Sequence, residues 1–299
     1  MCKFINLFGH SLSTSELFNN LSFVGQIIVA AFLIRQFRAV FVAPALVNLR
    51  YNKKVKDNFF WRWWSTIVMM LLITVLMYSA NYSTNDPISL IALNTKDVNY
   101  FTNIFVGPVA AFVTSLLLYN SPLKTMDLIT PVVEIALVFY KIDCFCTGCC
   151  YGVEWEGGLY NQKTERFEFP VQLVEAACAV LMFVILMVLA KKKKRHDGTL
   201  YPLFMLMYCG SRFISEFWRD DYPAVLGRLT GYHFSCIAGF VEGVFFLAIV
   251  LLWGEKITGF FEAKQKAVLK RYENKYVKRY HMLRNNQKTL WNSLVEEDL

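Results

Sequence analysis

The sequence predicts an all-helical integral membrane protein with about seven transmembrane helices, N-terminus outside and C-terminus cytoplasmic. Three observations carry that reading. Of the 299 residues, 56% are hydrophobic and 16% aromatic, while only 18% are charged; a soluble domain carries nearer a quarter charged residues. The charges are gathered into short blocks. Between the blocks lie apolar runs of about 20 residues, the length at which a helix crosses the hydrocarbon core. In lipid the backbone must satisfy its own hydrogen bonds, so the choices are helices or a closed barrel, and continuous apolar runs select helices.

The expected spans are 17–36, 60–80, 102–119, 126–142, 170–190, 199–217 and 234–253. The third and fourth are joined by SPLKTM, where Pro122 helps to close a short turn. The apolar piece AVFVAPALVNLR (39–50) is too short to span and is expected along the interface. Orientation follows from the basic residues of the short loops. Arg38, Arg50, Lys53, Lys54 and Lys56 follow the first span, KKKKRH (191–196) follows the fifth, and the chain beyond the seventh is again basic. With seven spans these three segments share the inner side. The opposite loops hold Lys96, Lys163, Arg166, Arg219 and Arg228, diluted by Asp86, Asp97, Glu154, Glu156, Asp220 and Asp221. No cleavable leader is expected, because the first residues lack a basic stretch, an apolar stretch and a small-residue cleavage site in that order. The chain thus divides into a membrane domain, 1–253, and a cytoplasmic basic tail, 254–299. The part of that tail from 254 to 286 interleaves Lys and Arg with Phe, Tyr, Val and Leu and has no proline. It is expected as an amphipathic helix held by anionic lipid rather than by nucleic acid.

Four cysteines lie within DCFCTGCCYG (143–152), at the outer end of the fourth span. The spacing Cys144, Cys146, Cys149, Cys150 lacks the two separated knuckles of a structural zinc site. A disulfide between near neighbours is open in an oxidising compartment, but adjacent Cys149 and Cys150 could not both be matched without strain. Close packing of a small, apolar-tolerant residue is the favoured reading, with metal as its rival. Gly148 and Gly152 suit a crowded turn. No cofactor and no metal is implied.

A second constellation is charged. In YCGSRFISEFWRDD (208–221), Arg212, Glu216 and Arg219 are spaced i, i+4 and i+7, which predicts one helical face. An ionisable residue in a span is costly and marks a site by default. An internal Arg212–Glu216 pair that only fixes packing is the plainer reading. Against it, Arg219 with Asp220 and Asp221 carries the charge toward the surface as a funnel. Lys141 ends the fourth span on the same outer side, with snorkelling as its plain explanation. In FPVQLVEA (169–176), Pro170 opens the fifth span, with Gln172 and Glu175 just below, where interhelical hydrogen bonding is the plain reading. Glu134 and Glu242 are lone acids deeper in spans four and seven.

In order and in motif, these segments resemble the prolipoprotein diacylglyceryl transferase family. KIDCFCTGCCYG (141–152) resembles the family's signature loop in a cysteine-rich form. FPVQLVEA resembles the segment H-P-x-Q-L-Y-E. GTLYPLFMLMYCGSRFISEFWRDD (198–221) resembles the glycine-led helix ending in R-F-x-x-E-x-x-R. The resemblance covers about residues 20 to 253 and leaves out the tail.

The resemblance implies transfer of diacylglyceryl from phosphatidylglycerol, or a related anionic phospholipid, to the lipobox cysteine of a lipoprotein precursor at the outer face of a bacterial plasma membrane. The implied partners are that lipid, the precursor's signal helix and the membrane, with no nucleic acid. Negative charge builds on a phosphate leaving group, which fixed cations in a dry pocket stabilise and guanidinium forks hold at two points. On this reading Arg212, Glu216 and Lys141 are catalytic. Arg219, Gln172, Glu175, Cys144, Cys149, Gly148 and Gly152 bind substrate, the cysteine turn lining the head-group pocket. A polar cavity opening outward and sideways to lipid is expected, because both substrates arrive within the bilayer. Two departures stand out. Lys141 replaces the signature arginine, keeping charge but losing the fork. In YFTNIFVGPVAAF (100–112), Thr102 stands about where the family has a histidine favoured as general base. His10 and His233 do not match that place. A non-catalytic relative that binds phospholipid or a signal helix is the alternative.

Overall fold

The computed structural model describes residues 4–7, 10–37, 112, 113, 115, 121–191, 196–221 and 223–297, with side chains in the last helix described as far as residue 270. The expected spans 60–80 and 102–119, the piece 39–50, Thr102 and most of the KKKKRH loop therefore lie outside the described residues, apart from helical 112, 113 and 115. The described elements are β1 (Phe4–Leu7), β2 (His10–Ser13), α1 (Thr14–Phe37), α2 (Pro122–Thr147), β3 (Glu154–Asn161), β4 (Arg166–Glu168), α3 (Val171–Ala190), α4 (Leu200–Ser215), a 3-10 turn (Glu216–Trp218), β5 (Ala224–Leu226), β6 (Leu229–Thr230) and α5 (Gly231–Glu297). Five of the expected spans fall on α1 to α5. Of these, α3 and the stretch Gly231–Lys264 of α5 are long and apolar enough to cross a membrane; the apolar stretch of α1, Leu17–Leu33, is shorter. At 16 residues, α4 rises only about 24 Å, less than the roughly 30 Å of a hydrocarbon core; the chain beyond it continues through the 3-10 turn.

Successive helices run in opposite directions. The end of α2, the start of α3, the end of α4 and the start of α5 meet where Lys141 pairs with Glu175, Glu175 with Arg212, and Arg212 stacks on Tyr232. At the other end the start of α2 meets the loop before α4 and the later part of α5, as Lys124 pairs with Asp197 and Glu262. The lower half of α1 reaches the end of α3, with Lys191 over the Phe32 ring, and Gly25 approaches Ile135 and Phe139 of α2. Leu33, Leu128, Leu137, Leu186, Leu200 and Met205 fill the centre, each at most 2% exposed. By contrast Val180, Leu181, Val184 and Val188 of α3, and Val241, Val244, Phe245, Leu251 and Leu252 of α5, face outward. Such apolar exposure fits a lipid solvent.

Local chemistry fixes the ends of these helices. Pro122 stands in the first turn of α2, where its missing N–H costs nothing. Gly148 closes that helix in the left-handed region, φ 68°, and the N–H groups of Gly148 and Cys149 donate to the carbonyls of Phe145 and Cys144. At the far end, buried Asp127 of α2 accepts from the N–H groups of Gly198 (2.7 Å) and Leu200 (2.8 Å). A carboxylate from one helix thus caps the next.

Two expectations are corrected. The fold is mostly helical rather than all-helical, because three antiparallel hairpins, β1–β2, β3–β4 and β5–β6, occur among the described residues. The last two lie at the site end, where β4 leads into α3 and β6 leads into α5. Arg212, Glu216 and Arg219 do not share one continuous α-helix either: α4 tightens to a 3-10 turn at Glu216, and Arg219 is extended. Tightening the last turn is a common way to satisfy terminal carbonyls. Beyond residue 253 the chain is helical, in one helix with the expected span 234–253.

Candidate functional site

Glu175, one turn into α3, is the hub. Its Oε1 accepts from Arg212 Nη1 at 2.6 Å and from the Ser215 hydroxyl at 2.7 Å. Its Oε2 accepts from Lys141 Nζ at 2.6 Å and lies 3.4 Å from Arg219 Nη1. Arg212 also pairs with Glu216 (2.7 Å), which lies 3.5 Å from Arg219. Arg219 forks onto both oxygens of Asp221. All of the three cations and the two glutamates are buried, none more than 8% exposed. Charges so removed from water persist only in close pairs, and here Lys141, Arg212 and Arg219 balance Glu175, Glu216 and Asp221. Burial alone would lower the pKa of Arg219, but Glu175, Cys150 and Asp221 outweigh it and hold it above the usual arginine value.

The cluster is walled by close backbone approaches. Gly152 bridges Arg219, and a Cβ there would strike the Phe169 carbonyl oxygen. The β3–β4 hairpin folds back over the turn: Asn161 Nδ2 donates to the Gly148 carbonyl (3.3 Å) and to Glu168 (2.9 Å). Arg166 reaches from β4 to Asp220 (2.7 Å). Gln172 ties α3 to the cysteine turn by donating to the Cys149 carbonyl (2.9 Å).

The turn itself departs from ordinary packing. Cys150 is, with Glu165, one of two non-glycine residues at positive φ (57°) among the described residues, a conformation uncommon for residues other than glycine. That turn brings neighbouring Cys149 and Cys150 onto the same side, and the sulfurs of Cys144, Cys149 and Cys150 lie within 4.8 Å of one another. Contacts with the Cys144 and Cys149 sulfurs, then the charges of Arg219 and Lys141, hold Cys150 below the usual thiol range.

The ten residues expected at the site, Lys141, Cys144, Gly148, Cys149, Gly152, Gln172, Glu175, Arg212, Glu216 and Arg219, therefore form one contiguous group. Sequence reasoning missed Ser215 and Thr230. Ser215 sits three residues after Arg212 and so on its face, a spacing that could have found it. Thr230 donates to Glu216 (2.6 Å), a contact from β6 back to the 3-10 turn with no local signal, while its N–H donates to His233 Nδ1 (3.0 Å) at the start of α5. His233 is fully buried against the rings of Phe213 and Phe217. Glu134 is fully buried with no hydrogen-bond partner among the described residues, and Glu242 accepts from the Tyr201 hydroxyl at 3.0 Å.

The family model for prolipoprotein diacylglyceryl transferase matches residues 18–249, and so takes in every element of this cluster. The chain belongs to the prolipoprotein diacylglyceryl transferase family. Members are integral membrane transferases of lipoprotein biosynthesis in the cytoplasmic membrane. Among relatives, the phosphatidylglycerol–prolipoprotein diacylglyceryl transferase of Campylobacter jejuni is 27% identical over 229 residues, covering 72% of this chain and 79% of its own. A second such enzyme of Clostridium perfringens is 28% identical over 144 residues, 46% of this chain and 56% of its own. That of Clostridium tetani is 27% identical over 130 residues, 41% of this chain and 52% of its own. The chain thus spans about half the length of the two clostridial relatives and more of the Campylobacter one.

Proposed function

We propose that this chain transfers a diacylglyceryl group from phosphatidylglycerol to the lipobox cysteine of a lipoprotein precursor, releasing glycerol phosphate. The observation that carries the reading is the buried cluster in which three cations from α2, α4 and the following turn converge on Glu175. Arg212 and Arg219 hold the phosphate of the donor lipid, and Lys141 stabilises the departing charge. Glu216 and Glu175 orient those cations. Gln172 fixes the cysteine turn, whose Cys144, Gly148, Cys149 and Gly152 border the head-group pocket. The precursor thiolate attacks the terminal glyceryl carbon, the S–C bond forms as the C–O bond to phosphate breaks, and the electron pair leaves on the phosphate oxygen. Donors preset for that developing charge lower the barrier most where water is excluded.

The topology proposed with this function has seven spans in residues 1–253, the site facing outward, and residues 254–299 as an inner, basic tail at the membrane surface. Support comes from helix direction. α1 ends and α2 begins at the end of the bundle remote from the site, the arrangement that two expected spans between them require. A reporter fused in the KKKKRH loop and read from outside would count against it.

A non-catalytic role in binding phospholipid or a signal helix is the second reading, favoured by Lys141 in place of the signature arginine and by Thr102 in place of the histidine. One experiment separates them: transfer of label from phosphatidylglycerol to a lipobox peptide by purified protein, wild type against Arg212→Ala. Turnover that the variant loses supports the enzyme. A wild type that co-purifies with lipid but transfers nothing refutes it.

A further inference from the structure

We propose that Cys144, Cys149 and Cys150 bind one zinc-class divalent ion, whose remaining position takes the incoming lipobox thiol as a thiolate. The inference rests on the transferase reading above and supplies the thiol activation which that reading lacks. Three features of the turn carry it. The three sulfurs lie within 4.8 Å of one another, and those of Cys144 and Cys150 are 3.9 Å apart. Tetrahedral zinc with bonds of about 2.3 Å sets its sulfurs about 3.8 Å apart, so only small side-chain rotations are needed. Second, two consecutive thiols, Cys149 and Cys150, converge at a residue whose backbone is left-handed, φ 57°. Close packing of small side chains requires no such conformation, whereas strained backbone is characteristic of functional sites. Third, among the described residues no fourth His, Cys, Asp or Glu joins the group. Three protein ligands and an open position mark a catalytic site rather than a structural one.

The surroundings suit the charge. Three thiolates and a dication leave one negative charge, and Lys141 and Arg219 stand beside Cys150. The chemistry is the alkylation of sulfur at an sp3 carbon. When the peptide thiol takes the open position its proton leaves to water, because a coordinated thiol is deprotonated outright. The bound sulfur then forms the S–C bond as the C–O bond to phosphate breaks, and the leaving pair departs on glycerol phosphate. Nothing is oxidised or reduced. The metal thus does the work that the family resemblance gives to a histidine base, a residue this sequence replaces by Thr102.

The test uses the full chain in detergent, reduced, stripped with chelator and titrated with Co2+. A thiolate-to-cobalt absorption band that saturates at one equivalent is expected, together with its loss in Cys150→Ser and its retention in Cys178→Ser. Adding a lipobox peptide should shift the cobalt d–d bands, and the same peptide with serine for cysteine should not. Because Cys144→Ser could unfold the turn, the wild type gives a second reading: Zn2+ should protect Cys144, Cys149 and Cys150, but not Cys178, from alkylation scored by mass spectrometry. A folded wild type with no cobalt band, or with alkylation unchanged by Zn2+, overturns the metal. If that same stripped protein still transfers label from phosphatidylglycerol, the transferase reading stands without it. A cobalt band that responds to the peptide, with no label transfer, keeps the metal site and sinks the transferase reading instead.

Discussion

Replacing Glu175 by glutamine keeps the shape of the hub and removes its charge. The consequence can be sized from the contacts. Lys141 at 2.6 Å, Arg212 at 2.6 Å and Arg219 at 3.4 Å all point at this carboxylate. Arg212 retains Glu216 and Arg219 retains Asp221, but among the described residues Lys141 has no second carboxylate. The variant therefore leaves a cation without a carboxylate partner among the described residues, its side chain only 7% exposed. Breaking a buried pair from one side costs about 3–5 kcal/mol, so unfolding in mixed micelles, followed by tryptophan fluorescence, should show a loss of that order. Removing the orphan as well should restore part of it: Lys141→Met with Glu175→Gln should be more stable than the sum of the single losses predicts, by ~1–3 kcal/mol for groups in contact. Two outcomes would refute the reasoning. One is a Glu175→Gln protein within about 0.5 kcal/mol of wild type, the usual range for surface changes. The other is strict additivity with Lys141→Met, which would mean that the two groups do not depend on each other.

Three further outcomes are expected. Gly152→Ala should destabilise the protein by at least ~2 kcal/mol, or prevent its accumulation, because the new methyl meets the Phe169 carbonyl. Gly210→Ala, with nothing within 4 Å of the added Cβ, should instead gain up to about 1 kcal/mol from helix propensity; equal melting temperatures for the two variants would contradict this. Asp127→Ala strips two N–H groups at the start of α4 of their acceptor and should cost about 1–3 kcal/mol per buried donor left unpaired, with faster hydrogen exchange at Gly198 and Leu200 as its local signature. A synthetic peptide of residues 254–286 should gain helicity on anionic vesicles and not on neutral ones, and no gain by circular dichroism on either would remove the basis for a membrane-bound tail.

The extent to which the sequence foretold this arrangement differs between elements for physical reasons. The helix α3 begins one residue after Pro170 and ends at Ala190, close to the expected 170–190, because a proline start and an unbroken apolar run leave little choice. The charged face after Arg212 was legible for the same kind of reason, since helical spacing alone puts Arg212, Ser215 and Glu216 together. The hub was not. Glu175 gathers residues from α2, α4 and the segment after the 3-10 turn, and no local pattern states which elements will be neighbours. The hairpins were hidden too: β3 reads EWEGGLYN, with no alternation, and is held by the fit of Gly158 against the Glu168 carbonyl. The meeting of the three sulfurs turns on one backbone angle at Cys150, where the left-handed conformation is unusual for a residue other than glycine. That is why spacing in the sequence argued against a metal and the folded turn argues for one.

If the chain is the proposed transferase, the even balance of charge around Glu175 has a consequence for turnover. With Lys141, Arg212 and Arg219 already matched by Glu175, Glu216 and Asp221, the resting cluster carries its own stand-in for a bound anion. An arriving phosphate must exchange with carboxylates rather than fill a vacancy, so its affinity is a difference between two sets of ion pairs and stays modest. On that reading the same exchange would work in reverse once the carbon had moved to sulfur: the carboxylates would reclaim the guanidinium groups, and glycerol phosphate would be ejected rather than retained. Built-in competition of this kind favours the tetrahedral anion that can reach all three cations at once over flat carboxylates from outside, which makes the acids of the cluster a filter as much as a scaffold.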